Sequence, residues 1–187
     1  MTNSSKTSQS SLPKHPGSCH CGRVRFEVEF DVTGGATRCN CSICMKLGAT
    51  GVIVKPNAFR LLSGEDALGT YEWGARISRR HYCKHCAIHC FAEGRLEELG
   101  GDFVSVNVNC LDDVDVAELK IVYWDGRHDN WMVGPRPTPW PVFEAAANSS
   151  EAQARPSVAG VRHHTRPRAE IFAVLTGVLP TVEGYAS

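Results

Sequence analysis

Between Arg23 and Phe30 apolar and polar residues alternate without a break. Val24, Phe26, Val28 and Phe30 fall on one face and Arg25, Glu27 and Glu29 on the other. A period of two is the signature of a half-buried strand, because successive side chains point to opposite faces of a sheet. Shorter runs of the same kind predict strands over 51–54, 69–73, 77–82, 88–93, 103–109 and 119–123, with turn residues such as Gly64, Gly74 and Gly100-Gly101 between them. Helical periodicity is nearly absent. One helical turn is expected over 42–47, stopped by Gly48, and a second over 112–118 with Asp112 as its cap. The pattern therefore predicts a mainly β domain.

Two regions fall outside that pattern. Residues 1–16 are rich in Ser and Pro and lack any period, which predicts a disordered N-terminal tail. After Tyr123, Asp125-Gly126 signals a turn, and Pro135, Pro137, Pro139 and Pro141 at every second position favour an extended arm that Trp131 and Trp140 would pin to the sheet. Beyond Phe143 the run 145–154 is of low complexity and leads into a basic stretch with Arg155, Arg162, His163, His164, Arg166 and Arg168. The folded domain is accordingly placed at 17–145, with a low-complexity, basic C-terminal tail over 146–187. A histidine pair such as His163-His164 in a low-order segment usually binds neither metal nor nucleic acid.

Composition narrows the function. A chain of 187 residues is one domain by the usual size prior and can bury roughly two thirds of its unfolded surface. Twenty Lys+Arg balance twenty Asp+Glu, so no net field draws in nucleic acid or an acidic membrane, and small-molecule chemistry fits better. The longest apolar run, from Ile171 through Leu179, is about half of what a bilayer requires. No apolar segment interrupts Met1 to His15, which argues against a secretory signal and places the protein in the cytoplasm. Oligomeric state is left open.

The chemistry lies in the cysteines. Of nine, seven fall into three clusters: Cys19-x-Cys21, Cys39-x-Cys41-x-x-Cys44 and Cys83-x-x-Cys86. Disulfides would need an oxidising compartment, and an odd count argues mildly against a complete framework. The C-x-C-x₂-C spacing matches neither common iron–sulfur pattern. Short C-x-C and C-x₂-C pairs each place two thiolates on one turn, as tetrahedral zinc at a Zn–S distance of about 2.3 Å requires. Cys19 and Cys21 precede the Arg23 strand, and Cys83 and Cys86 sit in a turn between two more, so these four can meet and close one structural zinc. The middle cluster has three sulfurs and no equally well-spaced fourth ligand. Either it is an open, catalytic zinc, or it takes a fourth ligand from His81, His85, Cys90 or Cys110 and is a second staple.

Read in order, Gly17-Ser-Cys19-x-Cys21-Gly22, Cys39-x-Cys41-Ser-x-Cys44-x-Lys46, Cys83-x-x-Cys86, Asn107-Val-Asn-Cys-Leu-Asp112 and Asp125-Gly126-Arg127 resemble the glutathione-dependent formaldehyde-activating enzyme family, which also includes centromere protein V. The resemblance spans residues 17 to about 143. It implies a β-tent fold, built of small antiparallel sheets stapled by zinc. It implies two Zn²⁺ per chain, a structural one on Cys19, Cys21, Cys83 and Cys86 and a catalytic one on Cys39, Cys41 and Cys44. It also implies carbon–sulfur lyase or synthase activity on the adduct of glutathione, or another thiol, with formaldehyde or a small aldehyde, and Lys46 as a candidate for a substrate carboxylate. Centromere protein V supplies the contrasting precedent, a non-catalytic zinc β-domain serving as an interaction module.

The chain departs from the family pattern at Ala87, where a glycine usually follows the third cluster, and this puts the tight turn there in question. Cys90 and Cys110 are expected to pack in the core. His81, His85 and His89 around the third cluster could act as acid or base, or simply hydrogen-bond thiolates or face solvent. Arg79-Arg80 could pair with substrate carboxylates or form a solvated strand face.

Overall fold

The computed structural model describes residues 12–143. The chain order is β1 (Lys14–Ser18), β2 (Arg25–Glu29), β3 (Ala36–Cys39), α1 (Ser42–Leu47), β4 (Gly51–Val54), β5 (Phe59–Ser63), β6 (Leu68–Tyr71), β7 (Ser78–Cys83), β8 (His89–Leu96), β9 (Gly101–Asn107) and β10 (Ile121–Trp124), with several single 3₁₀ turns between them. β1, β2 and β5 form one sheet, and the remaining seven strands form another in the order β10-β3-β4-β9-β8-β7-β6. All pairings are antiparallel except β10 on β3, which is parallel with Trp124 opposite Cys39. The expected mainly β, antiparallel architecture is what the chain adopts.

The alternation in β2 does what its period predicts. Val24, Phe26 and Val28 are fully buried, while Glu27 and Glu29 turn outward to Lys14 and Arg60. Phe26 meets Phe91 of the larger sheet at 6.1 Å between ring centroids, and Phe59 bridges the two at 5.5 and 4.6 Å. These rings and the buried Val104, Val106 and Val108 form the core between the sheets. Removing the Phe26 ring would cost about 3–5 kcal/mol, the usual figure for deleting a buried aromatic side chain. Cys90 and Cys110 are buried, as expected of core residues.

Three strands escape the sequence pattern. β1 falls inside the stretch expected to be a disordered tail, so the fold begins at Lys14 rather than at residue 17. Pro16 hid it, yet proline is tolerated on an edge strand, and β1 is the edge of its sheet. β3 has four residues, and β5, also at an edge, exposes Arg60, Leu62 and Ser63, so neither shows alternation long enough to read. The helical turn expected over 112–118 is only a 3₁₀ turn at Val116–Glu118. Its cap is Asp115, which accepts the Ala117 N–H at 2.8 Å, while Asp112 accepts the Ser18 hydroxyl at 2.9 Å instead.

α1 covers the expected residues and stops at Gly48, whose left-handed φ of 60° a residue with a Cβ would resist. The arm after β10 is pinned as expected. Tyr123 and Arg136 exchange backbone hydrogen bonds at 2.8 and 3.1 Å, Trp140 Nε1 donates to the Tyr123 carbonyl at 2.9 Å, and Trp131 packs on Trp124. The tail expected over 146–187, with His163-His164, lies outside the described residues. Among the described residues no helix is long and apolar enough to cross a membrane.

Two cysteine clusters and the cavity beside one of them

Two knuckles of the same design bring the first and third clusters together. After Cys19 the chain folds back so that the Gly22 N–H donates to the Cys19 carbonyl at 2.9 Å, and after Cys83 the Ala87 N–H donates to the Cys83 carbonyl at 2.8 Å. In both, the residue just past the second cysteine has a left-handed φ, 73° at Gly22 and 61° at Ala87. The tight turn is thus kept with alanine in it, in a conformation that costs a Cβ-bearing residue about 1–2 kcal/mol. Cys19, Cys21, Cys83 and Cys86 present their sulfurs within 4.8 Å of one another. Cys19 to Cys21 is 3.5 Å and Cys21 to Cys83 is 3.7 Å. The edge of a ZnS₄ tetrahedron with bonds of about 2.3 Å is about 3.8 Å, so a zinc-sized cation fits this donor set. The Val24 N–H points at Cys19 Sγ from 3.3 Å, as backbone donors do around thiolate ligands. Burial alone would raise the Cys86 thiol, but N–H groups from Ile88 and Cys21 outweigh it and bring its pKa down to about 6.

The middle cluster is built differently. Cys39 ends β3, Cys41 caps α1, and Cys44 lies one turn into the helix. Their sulfurs also lie within 4.8 Å of one another, and among the described residues this group has three members. None of the four side chains considered as a fourth ligand belongs to it. His81 instead contacts Thr70 Oγ1 and Glu93 Oε2 at 3.2 and 3.3 Å and stacks on Phe91, His85 is exposed, and Cys90 and Cys110 each donate to carbonyls of β8 or the residue before it. His89 is half-buried, and desolvation, with Arg80 and His81 nearby, lowers its pKa to about 4. Arg79 pairs with Glu93 on the strand face. Hydrogen bonds from Cys39 and Cys44 outweigh burial to lower the Cys41 thiol, whereas Cys39 and Cys41 push the Cys44 thiol up.

The turn after β10 packs directly on this cluster. A Cβ on Gly126 would fall 2.6 Å from Cys39 Sγ and 2.7 Å from the Trp131 ring, so only glycine allows the approach. The flanking residues are tied by a buried polar network. Asn40 donates to Asp125 Oδ1 at 2.6 Å and accepts the Arg127 N–H at 2.8 Å, while His128 contacts the same carboxylate oxygen at 2.7 Å. Burial would raise the Asp125 carboxyl, but hydrogen bonds from Asn40, His128 and Asn130 hold it below the usual range.

Beside the middle cluster opens a cavity of about 350 Å³. Cys39 and Cys44 line it together with Arg38, Met45, Tyr123 and the arm residues Pro139 and Trp140. Arg38 directs Nε to the hydroxyl of the buried Thr50 at 2.8 Å, and among the described residues its guanidinium forms no ion pair. Lys46, the residue expected to meet a substrate carboxylate, is exposed in the last turn of α1 and is not among the lining residues. The sequence carried a signal for this. At 100° per residue, two positions past Cys44 lies on the far side of the helix.

Cys19, Cys21, Cys83 and Cys86 thus form one group, and Cys39, Cys41 and Cys44 another, each close enough to hold a metal ion. The profile of the glutathione-dependent formaldehyde-activating enzyme family matches residues 14–126. The chain belongs to this family. A Halomonas elongata protein described as a candidate glutathione-dependent formaldehyde-activating enzyme is 36% identical over 81 residues, 38% of this chain; the chain spans about half the length, 50%, of that relative. A crystal structure of a Rhodobacter sphaeroides protein superposes with a TM-score of 0.52 at 32% identity, covering 58% of this chain and 98% of the other. The fold is the β-tent of the family, with two cysteine clusters able to hold metal ions. The family profile stops at Gly126, so Pro139 and Trp140 of the cavity wall lie beyond the matched span.

Proposed function

We propose that this family member is a zinc-dependent carbon–sulfur lyase or synthase that makes and breaks the adduct of glutathione, or a similar thiol, with a small aldehyde. On this reading Cys19, Cys21, Cys83 and Cys86 hold a structural zinc, and Cys39, Cys41 and Cys44 hold a catalytic one. The observation that carries it is the asymmetry of the two clusters: a four-sulfur set joins two knuckles, whereas a three-sulfur set borders a cavity large enough for a small organic molecule. A zinc ion held by the middle cluster would supply Lewis acidity and stabilise a thiolate. The chain's own residues do the rest. Thr50 holds the Arg38 side chain at the rim, where its charge can anchor a carboxylate. Trp124, Trp140 and Pro139 line the cavity with apolar surface. Gly126 leaves the Cys39 sulfur unobstructed.

In the forward direction the thiol sulfur bonds to the carbonyl carbon, the carbonyl π pair moves to oxygen, and the thiol proton ends on that oxygen. The reverse reaction releases thiol and aldehyde, with no change of oxidation state. A reduced cytoplasm, rich in glutathione, suits both this substrate and nine cysteines that are all free thiols. The test is exchange spectroscopy on ¹³C-formaldehyde and glutathione with zinc-loaded protein. Interconversion of S-hydroxymethylglutathione and its parts should run faster than in protein-free buffer, and a rate equal to the uncatalysed one would refute the activity.

A further inference from the structure

The cavity has room for more than the smallest aldehyde. The formaldehyde-derived part of an adduct is one carbon and one oxygen, whereas the space beside Cys39 and Cys44 is about 350 Å³. The walls include Met45, Tyr123, Trp124, Pro139 and Trp140, and among the described residues the one cation in the lining is Arg38. The aromatic wall is built before any ligand arrives. Trp140 is clamped between its hydrogen bond to the Tyr123 carbonyl and the Arg136 guanidinium, which lies over its ring at 3.9 Å from the centroid. Such a rigid surface rewards a flat apolar group without an ordering cost. Arg38 is restrained at Nε by Thr50, leaving its terminal nitrogens to pair with an anion.

Resting on the thiol–aldehyde chemistry proposed above, we infer that the carbon partner of the thiol is a bulky aldehyde bearing an aromatic ring and a single carboxylate, the ring against Trp140 and the carboxylate on Arg38. The step is the same addition: the sulfur bonds to the aldehyde carbon and the thiol proton passes to its oxygen, with nothing oxidised. Arg38, Met45 and Trp140 are then the residues that set specificity.

The test separates binding from turnover. Unreactive 4-methylbenzoate is titrated into zinc-loaded protein by calorimetry, with acetate and benzyl alcohol as probes of each half of the ligand. The aromatic carboxylate should bind at least about tenfold more tightly than either, since ring and charge each contribute. Arg38→Gln, which keeps an N–H for Thr50, should weaken it by about tenfold or more. Met45→Trp, at a side chain 51% exposed and so of little weight for folding, should fill the cavity and do the same. In exchange assays with glutathione, 4-carboxybenzaldehyde should outpace benzaldehyde, and Arg38→Gln should erase that preference. Accelerated formaldehyde exchange together with 4-methylbenzoate binding that is absent, or indifferent to both substitutions, overturns the inference and leaves the proposed activity standing. Binding that responds to both substitutions, with no aldehyde exchange accelerated, upholds the cavity's ligand class and overturns the activity.

Discussion

Asn40 Nδ2 lies 2.6 Å from Asp125 Oδ1, across 85 positions of sequence, and the bond is buried. Asn40 stands between two cysteines of the middle cluster and Asp125 beside Gly126, so this one contact locks the turn after β10 to the loop that carries the sulfurs. Asn40→Ala would leave the part-buried Arg127 N–H without its acceptor and take one donor from Asp125 Oδ1, which keeps His128. A loss of about 1–3 kcal/mol in unfolding free energy is expected, the usual cost of one unsatisfied group. Denaturant titration checks it, and a loss below about 1 kcal/mol would show that the network can re-form without the amide.

The same network sets a pH dependence. Hydrogen bonds hold the folded Asp125 carboxyl below its ordinary range, so its stabilisation is present above the unfolded pKa of about 3.9 and is lost as pH falls through the lower folded value. Asp125→Asn removes that ionisation. The gap in urea stability between the parent and this variant should stay level from about pH 7 to 5 and narrow below about pH 4. A gap unchanged down to about pH 3 would mean that the carboxylate's charge contributes nothing.

Gly126 tests how closely the turn after β10 packs on the middle cluster. A methyl group there would sit 2.6 Å from Cys39 Sγ and 2.7 Å from Trp131, well inside van der Waals contact. Gly126→Ala should therefore displace the Cys39 sulfur, weakening zinc at the middle cluster by about tenfold or more while sparing the other cluster. Competition with a chromophoric chelator resolves the two sites. Equal affinity at both sites before and after substitution would show that the turn simply moves away.

Ala87 is the converse case, a residue with a Cβ where the backbone asks for none. With φ at 61° it occupies the position that Gly22 takes in the matching knuckle. Ala87→Gly should relieve about 1–2 kcal/mol of left-handed strain and lose part of it to the greater freedom of glycine when unfolded, for a net gain of about 0.5–1 kcal/mol. Thermal melts of the zinc-loaded protein should shift upward by a few degrees. A downward shift would mean that the alanine methyl makes a contact worth more than the strain.

The sequence was legible where a physical period or a covalent spacing carried the information. The Val24 to Phe30 alternation announced β2, and C-x-C and C-x₂-C spacings announced both sulfur groups, because ligands on one turn must be close in sequence. Lys14–Ser18 was not legible, since Pro16 and Gly17 read as irregular until β2 supplies a partner edge. Nor was the cavity. Arg38, Met45, Tyr123 and Trp140 meet only because β10 runs parallel to β3 and the arm folds back on Tyr123, and no local pattern encodes such a register. The resemblance offered Lys46 for a substrate carboxylate, yet helix geometry turns it away, and among the described residues the cation lining the cavity is Arg38.

On the proposed reading one cysteine group holds a metal for the fold and the other a metal for chemistry, and two substitutions separate them. Cys83 is fully buried at the junction of β7 with the knuckle, and its sulfur ties that turn to Cys21 beyond β1. Cys83→Ser should cost most of the folding free energy, because binding at such a site, of order 10 kcal/mol in small zinc peptides, counts as folding energy. Cys41→Ser removes a sulfur from the group that borders the cavity, so the core between the sheets and the four-sulfur staple survive. Elemental analysis should return two zinc ions for the parent and about one for Cys41→Ser. The melting temperature of Cys41→Ser should stay within several degrees of the parent while thiol–aldehyde exchange falls by about a hundredfold or more, as expected when a metal site that polarises the reacting group is lost. A Cys41→Ser protein with full exchange activity would remove the middle cluster from the reaction. One that melted as early as Cys83→Ser would make both zincs structural, and the domain would then stand with the interaction modules of its family rather than with the enzymes.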